Sequence, residues 1–183
     1  MKLILPKTYV EPDANTPLFF VAGPIMGGGN WQVACCKLFA EQIQDFYAVV
    51  PCRWREDDEL FSHRVPGRDN LFDRQTEWER HYLRIAAIGS RYRSACILFW
   101  LPIEDKQHPR SDGNPYARDT YGELGRWARD AALTGGRIIV GAEADFPGLS
   151  VIEANLRLDV GKSFPIYSTL QETVEQAVRW VKV

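Results

Sequence analysis

"SACILFWLP", Ser94 to Pro102, is the most apolar run in the chain, and its reading decides the fold. It has no polar face. A strand of this kind is buried on both sides, which happens in a parallel sheet covered by helices rather than in a sheet with one wet face.

The segments around it follow the same rule. "PLFFVAG" (17–23), "YAVVPCRW" (47–54), "GRIIVGAEA" (136–144) and "FPIYS" (164–168) read as further strands. Between them lie segments with helical spacing. "WQVACCKLFAEQIQDF" (31–46) carries Val33, Cys36, Ala40 and Ile43 along one face, and "LFDRQTEWERHYLRIAAI" (71–88) and "TYGELGRWARDAAL" (120–133) are also helical. "SVIEANLRL" (150–158) is a short helix, and the closing helix from Leu170 lines up Val174, Ala177, Val178 and Val181.

Strands alternating with helices predict an α/β protein. The expected architecture is a flavodoxin-like three-layer α/β/α sandwich with a five-stranded, mainly parallel sheet ordered 2-1-3-4-5, formed as one domain over residues 1–183. In such sheets ligands gather beyond the carboxyl ends of the strands, where the strand order reverses. Chemistry is therefore expected at the loop after Val21–Gly23, the loop after Trp100–Pro102 and the helix starting at Thr120. Two long polar loops, "REDDELFSHRVPGRDN" (55–70) and "IEDKQHPRSDGNPYAR" (103–118), feed that end.

Composition narrows the function. With 183 residues, 45% of them hydrophobic, the chain can bury a core without staples, and its net charge of −2 argues against a nucleic-acid partner. The opening "MKLILPKTYVEP" is too short and interrupted for a signal peptide, and no run approaches the roughly 18 apolar residues of a membrane helix. A cytoplasmic protein is expected. Cys35, Cys36, Cys52 and Cys96 lack the paired spacing of a zinc site and read as free thiols in a reducing compartment. His63, His81 and His108 form no catalytic or metal pattern, so neither metal nor cofactor is expected.

Three stretches are able to carry chemistry. In "VAGPIMGGGNW", Gly23 ends a strand and Pro24 forbids its continuation. Gly27 to Gly29 then either cradle a phosphate at a helix start or merely connect to a helix capped by Asn30. In "QTEWERHYL", Gln75, Trp78 and Glu79 share a helical face. Either Glu79 and Trp78 hold a heterocyclic base, or Trp78 is a half-buried residue among solvated charges. In "YARDTYGELGRW" (116–127), Thr120 and Glu123 have the spacing of a capping box. Glu123 is equally placed to be an ionised carboxylate in the field of the helix N-terminus, the group that attack on a sugar carbon requires.

The ordered set "FFVAGPI" (19–25), "NWQ" (30–32), "EWE" (77–79), "ILFWLP" (97–102), "TYGELGRW" (120–127) and "RIIVGAEAD" (137–145) resembles the nucleoside 2-deoxyribosyltransferase family over about two-thirds of the chain. The resemblance implies cleavage of an N-glycosidic bond, with Glu123 as the nucleophile at C1′ and Glu79 handling the base or its proton. Gly23, Pro24 and Ile25 would floor the pocket, with Asn30, Trp31 and Trp78 beside them, and Asp119 or Thr120 would reach the sugar hydroxyls. It also implies a nucleoside or nucleotide and a free nucleobase as small-molecule partners, and a homo-oligomer. The chain departs from the family at Ser94-Ala95, where Ala-Asp is usual, in the extra "AIGSRYR" (87–93), and in the length of loop 103–118. The glycine run partly resembles relatives that hydrolyse deoxynucleoside monophosphates, where Arg110 or Arg118 would meet the phosphate. Base exchange, monophosphate hydrolysis and a nucleotide-sensing module without turnover all stay open on the sequence.

Overall fold

A computed structural model describes residues 1–6, 8–51, 72–87 and 94–181. The apolar run at its centre forms β4 (Ala95–Leu101), buried at every position. Successive side chains of a strand point to opposite faces. Ala95, Ile97, Phe99 and Leu101 therefore join one core layer while Cys96, Leu98 and Trp100 join the other. β2 (Leu18–Ala22) and β5 (Ile138–Ala142) flank β4 and divide in the same way.

β3 (Tyr47–Val49) lies outside β2, and β6 (Ile166–Tyr167) lies outside β5. These five strands carry the expected 2-1-3-4-5 order. A sixth, β1 (Lys2–Ile4), pairs in parallel with β3 at the edge, giving the order β1-β3-β2-β4-β5-β6 with every pairing parallel. The five-strand expectation is thus one short. β1 has three residues and only Ile4 is buried among them, so no alternation marks it.

Helices cover both faces, as in a flavodoxin-like sandwich. α1 (Trp31–Gln42) and α5 (Leu170–Val181) pack on one side; α2 (Phe72–Ala87), α3 (Arg118–Thr134) and α4 (Leu149–Asp159) pack on the other. The expected face of α1 holds at its start and fails at its end. Val33 and Cys36 are buried as expected, with Gln32, Cys35 and Phe39 beside them, while Ala40 is exposed and Ile43, packed against the same core, is already extended at φ −145°, ψ 132°. Phe39 stacks on Phe19 at 4.2 Å between centroids, and this aromatic contact sets the helix rotation. Cys35, Cys36 and Cys96 are buried free thiols, and burial pushes the thiols of Cys36 and Cys96 up to about 12, so they act as small apolar groups. Strand residues 52–54, the loop expected over 55–70, Cys52, His63 and insertion residues 88–93 lie outside the described residues.

The segment Thr8–Val10 is bonded to α2. The Trp78 indole N–H donates to the Thr8 carbonyl at 2.7 Å, and the Tyr82 hydroxyl accepts from the Val10 N–H at 2.7 Å. Tyr9 adds an edge contact to His81. Among the described residues no helix is long and apolar enough to cross a membrane.

Gly141 on β5 is opposite Trp100 on β4. A Cβ there would meet the Trp100 ring at 2.9 Å and collide with the Thr173 hydroxyl of α5. Gly141→Ala should therefore cost about 1–3 kcal/mol by overpacking. A urea-denaturation midpoint unchanged from wild type would contradict this close packing.

Candidate active site

A cleft of about 660 Å³ opens beyond the carboxyl ends of β2 and β4, between α2 and α3. This is where the strand order reverses, the usual binding position in such sheets. Gly23, Pro24 and Ile25 form its floor after β2 ends. Gly23 sits at φ 150°, and a Cβ there would strike the Trp100 carbonyl and the Trp31 ring, so only glycine lets the chain turn this close to β4.

Glu123 faces this cleft. The capping-box alternative fails because α3 begins two residues earlier than expected, at Arg118, with Ala117 as its N-cap and no side-chain cap bond. Thr120 is then inside the first turn and Glu123 is past it, out of reach of the free amide groups. Ala117 adopts a left-handed φ of 58°, a strained conformation for a residue with a Cβ, at the cleft wall.

Glu79 lines the same cleft from α2, and its carboxylate accepts from the Gln75 amide at 3.0 Å. Burial raises the Glu79 carboxyl above its ordinary range, and the Gln75 hydrogen bond opposes that rise. Burial also pushes Glu123 up to about 8, with further rises from Glu79 and Asp119 and an opposing pull from Arg80. The sequence reasoning expected the helix field to keep Glu123 ionised at neutral pH. The structure reverses that: the helix field fades beyond the first turn, while desolvation and a facing carboxyl act directly. Glu123 therefore keeps its proton to higher pH than an ordinary carboxyl, and a charge on Glu79 reinforces this.

Asp119 and Thr120 also line the cleft, Thr120 buried and Asp119 exposed. Three other expected contacts lie elsewhere. Trp78 is fully buried, packed against Phe20 and Tyr82 with its N–H spent on Thr8. Trp31 is buried with its N–H on the Pro24 carbonyl at 2.8 Å, supporting the floor from below. Asn30 is the exposed N-cap residue of α1 and makes no side-chain cap bond.

The glycine run also has another role than a phosphate cradle. The Gly27 carbonyl accepts from the Asp105 N–H at 2.7 Å. A Cβ on Gly27 would lie 3.0 Å from the Arg110 amide nitrogen and 3.1 Å from a Glu104 oxygen, and one on Gly29 would lie 3.8 Å from an Asp105 oxygen. Loop 103–117 therefore packs directly on these glycines and surrounds them with carboxylates, which repel an anion.

Sequence reasoning missed Arg80 and Arg126, which join Arg110 and Arg118 around the cleft. Helical spacing carried a signal for both. Arg126 is one turn on from Glu123, and Arg80 is one turn on from Thr76, which also lines the cleft. Among the described residues no group of three or more His, Cys, Asp or Glu is arranged to hold a metal ion. No protein-family model matches the chain, and no curated protein matches it.

The raised Glu123 carboxyl has a consequence for stability. Its folded value, about 8, exceeds the ordinary 4.5, so the native state holds a proton that the unfolded chain releases. That contribution is complete below about pH 4.5 and is lost as pH rises through about 8. Glu123→Gln removes the titration. Its melting temperature should gain on wild type by about 3–6 °C more at pH 9 than at pH 5. A gap constant with pH in thermal scans would show an ordinary, solvated carboxyl.

Proposed function

We propose that this protein cleaves the N-glycosidic bond of a 2′-deoxynucleoside and passes the sugar to another base or to water, as its resemblance to the nucleoside 2-deoxyribosyltransferases implies. The observation that carries the reading is the pairing of Glu79 and Glu123 in one cleft above the Gly23–Ile25 floor. Two carboxyl groups that disfavour simultaneous ionisation supply what double displacement needs, one nucleophile and one acid.

In this scheme a nucleoside lies on the floor with its base toward Glu79 and its sugar toward Glu123 and Asp119. An acceptor atom of the base against Glu79 draws the pair's proton to that side and leaves Glu123 ionised, with Arg80 favouring the charge. A Glu123 carboxylate oxygen bonds to C1′ as the C1′–N bond breaks. The bond's electron pair goes to the base nitrogen, and the Glu79 proton goes with it. Positive charge at C1′ is stabilised by the same carboxylate before the bond forms. A second base, or water, then attacks C1′ and gives its proton to Glu79, and the Glu123 ester bond breaks with overall retention.

A second reading, a nucleoside 5′-monophosphate as substrate, is favoured by the four arginines around the cleft, since a guanidinium fork suits phosphate. It gains nothing from the glycine run, for the reason given above.

Incubation with deoxyinosine and adenine, followed by product separation, tests the reading directly. Deoxyadenosine is the expected product of exchange, and free hypoxanthine with deoxyribose is that of hydrolysis. Parallel incubation with deoxyinosine 5′-monophosphate separates the second reading. Glu123→Ala should lose at least about 10³-fold in rate while remaining folded. Glu79→Gln should lose about 10²–10⁴-fold. A folded Glu123→Ala protein with the wild-type rate would end the nucleophile assignment.

A further inference from the structure

Arg110, in the polar loop over the cleft, has a side chain only 8% exposed. A cation so placed needs partners, and it has two. Its Nε and Nη2 donate to the two Asp112 oxygens at 2.7 and 2.9 Å, a bidentate fork. Its Nη1 and Nη2 also reach Asp119 Oδ2 at 3.5 and 3.4 Å. Asp112 belongs to the loop and Asp119 to the first turn of α3, so one guanidinium joins the loop to the helix that carries Glu123.

The backbone around Arg110 is fixed independently. Its N–H donates to Glu104 Oε1 at 2.8 Å, and the Gly27 contacts hold the same loop from beneath. Asp112 is held in turn by the Asn114 N–H and side-chain amide at 3.0 and 3.1 Å. The guanidinium is therefore presented to Asp119 by a braced loop. Arg118, with its Nε 4.0 Å from Asp119 Oδ1, is a looser and more exposed neighbour.

We propose that Arg110 is a positioning residue of this cleft: it holds Asp119 at the wall and absorbs charge that this carboxylate would otherwise direct at Glu79 and Glu123. The charged groups facing the pair are Arg80 from α2, Asp119, Arg118 and Arg126 from α3, and Arg110 from the loop. Asp119 acts on both members of the pair, raising each, and it is Asp119 that the Arg110 guanidinium contacts. Arg110 thus works through Asp119. It rests on the functional reading only in taking Glu123 as the group that reacts.

Glu123 can be titrated without turnover, so failure of this proposal is distinct from failure of the glycosyl-transfer reading. The experiment follows the side-chain carboxyl ¹³C shifts of glutamate-labelled protein against pH, with the Glu123 signal identified by its loss in Glu123→Gln. Arg110→Met should raise the Glu123 midpoint by roughly half a pH unit, because Asp119 is then uncompensated. In an Asp119→Asn background the same change should move it by much less, the coupling expected of residues acting in series. A folded Arg110→Met protein with an unmoved midpoint, or equal shifts in both backgrounds, overturns the proposal. If Arg110→Met does not fold, Asp119→Asn alone must lower the midpoint, and an unmoved midpoint there overturns the proposal equally.

Discussion

Two carboxyl groups face one poorly solvated space, and much of the surrounding structure follows from the cost of that arrangement. In water Glu79 and Glu123 would both ionise at neutral pH. In the cleft each loses solvation, Glu123 is further opposed by Glu79 and Asp119, and Glu79 by Asp119. Among the described residues no fixed countercharge bridges the two carboxyls. Partial relief lies on either side, an amide from Gln75 and the field of Arg80. A site tuned in this way stays sensitive to what enters it, because a small change in local charge decides which oxygen keeps the proton.

Holding such a pair demands a rigid frame. The floor is backbone, turned at Gly23 and supported by the Trp31 indole. The wall is loop 103–117, which is tied down at several points. Ile103 donates to Glu143 at 2.8 Å, the Tyr116 hydroxyl donates to the Pro102 carbonyl at 2.7 Å, and Asp105 donates to Gly27. A long polar segment lacking regular structure is thus ordered by backbone and side-chain bonds rather than by a core. The glycines between Met26 and Asn30 give it room to lie close.

The fold was readable because its central strands are apolar at every position, and few other structures tolerate that pattern. The helices α2 and α3 are readable from spacing, and the rule for strand ends brings Gly23 and the start of α3 to one end of the sheet; Glu79 joins them there only through the family resemblance. What escaped was whatever depends on contacts distant in sequence. β1 is an edge strand defined only by its neighbour. The end of the α1 face is set by Phe39, whose contact with Phe19 leaves Ala40 outside. Trp78 and Glu79 lie within one turn of Gln75 but on opposite sides of it, so Glu79 reaches the cleft while Trp78 turns into the core. A helix start is visible in a sequence, whereas the burial of Glu123 and the approach of a carboxyl from another helix are not.

The strip of chain from Thr8 to Val10 gives the amino-terminal region leverage over residue 79. It grips Trp78 and Tyr82, fully buried residues of α2 that do not line the cleft. A helix released from that grip can roll about its axis, and a roll of about 20° carries a side-chain tip at the usual radius through roughly 2 Å. Proton transfer needs donor and acceptor within about 3 Å, so a slip of that size is decisive. Thr8 and Val10 thus bear on the seating of Glu79 only through the two aromatic side chains they bond.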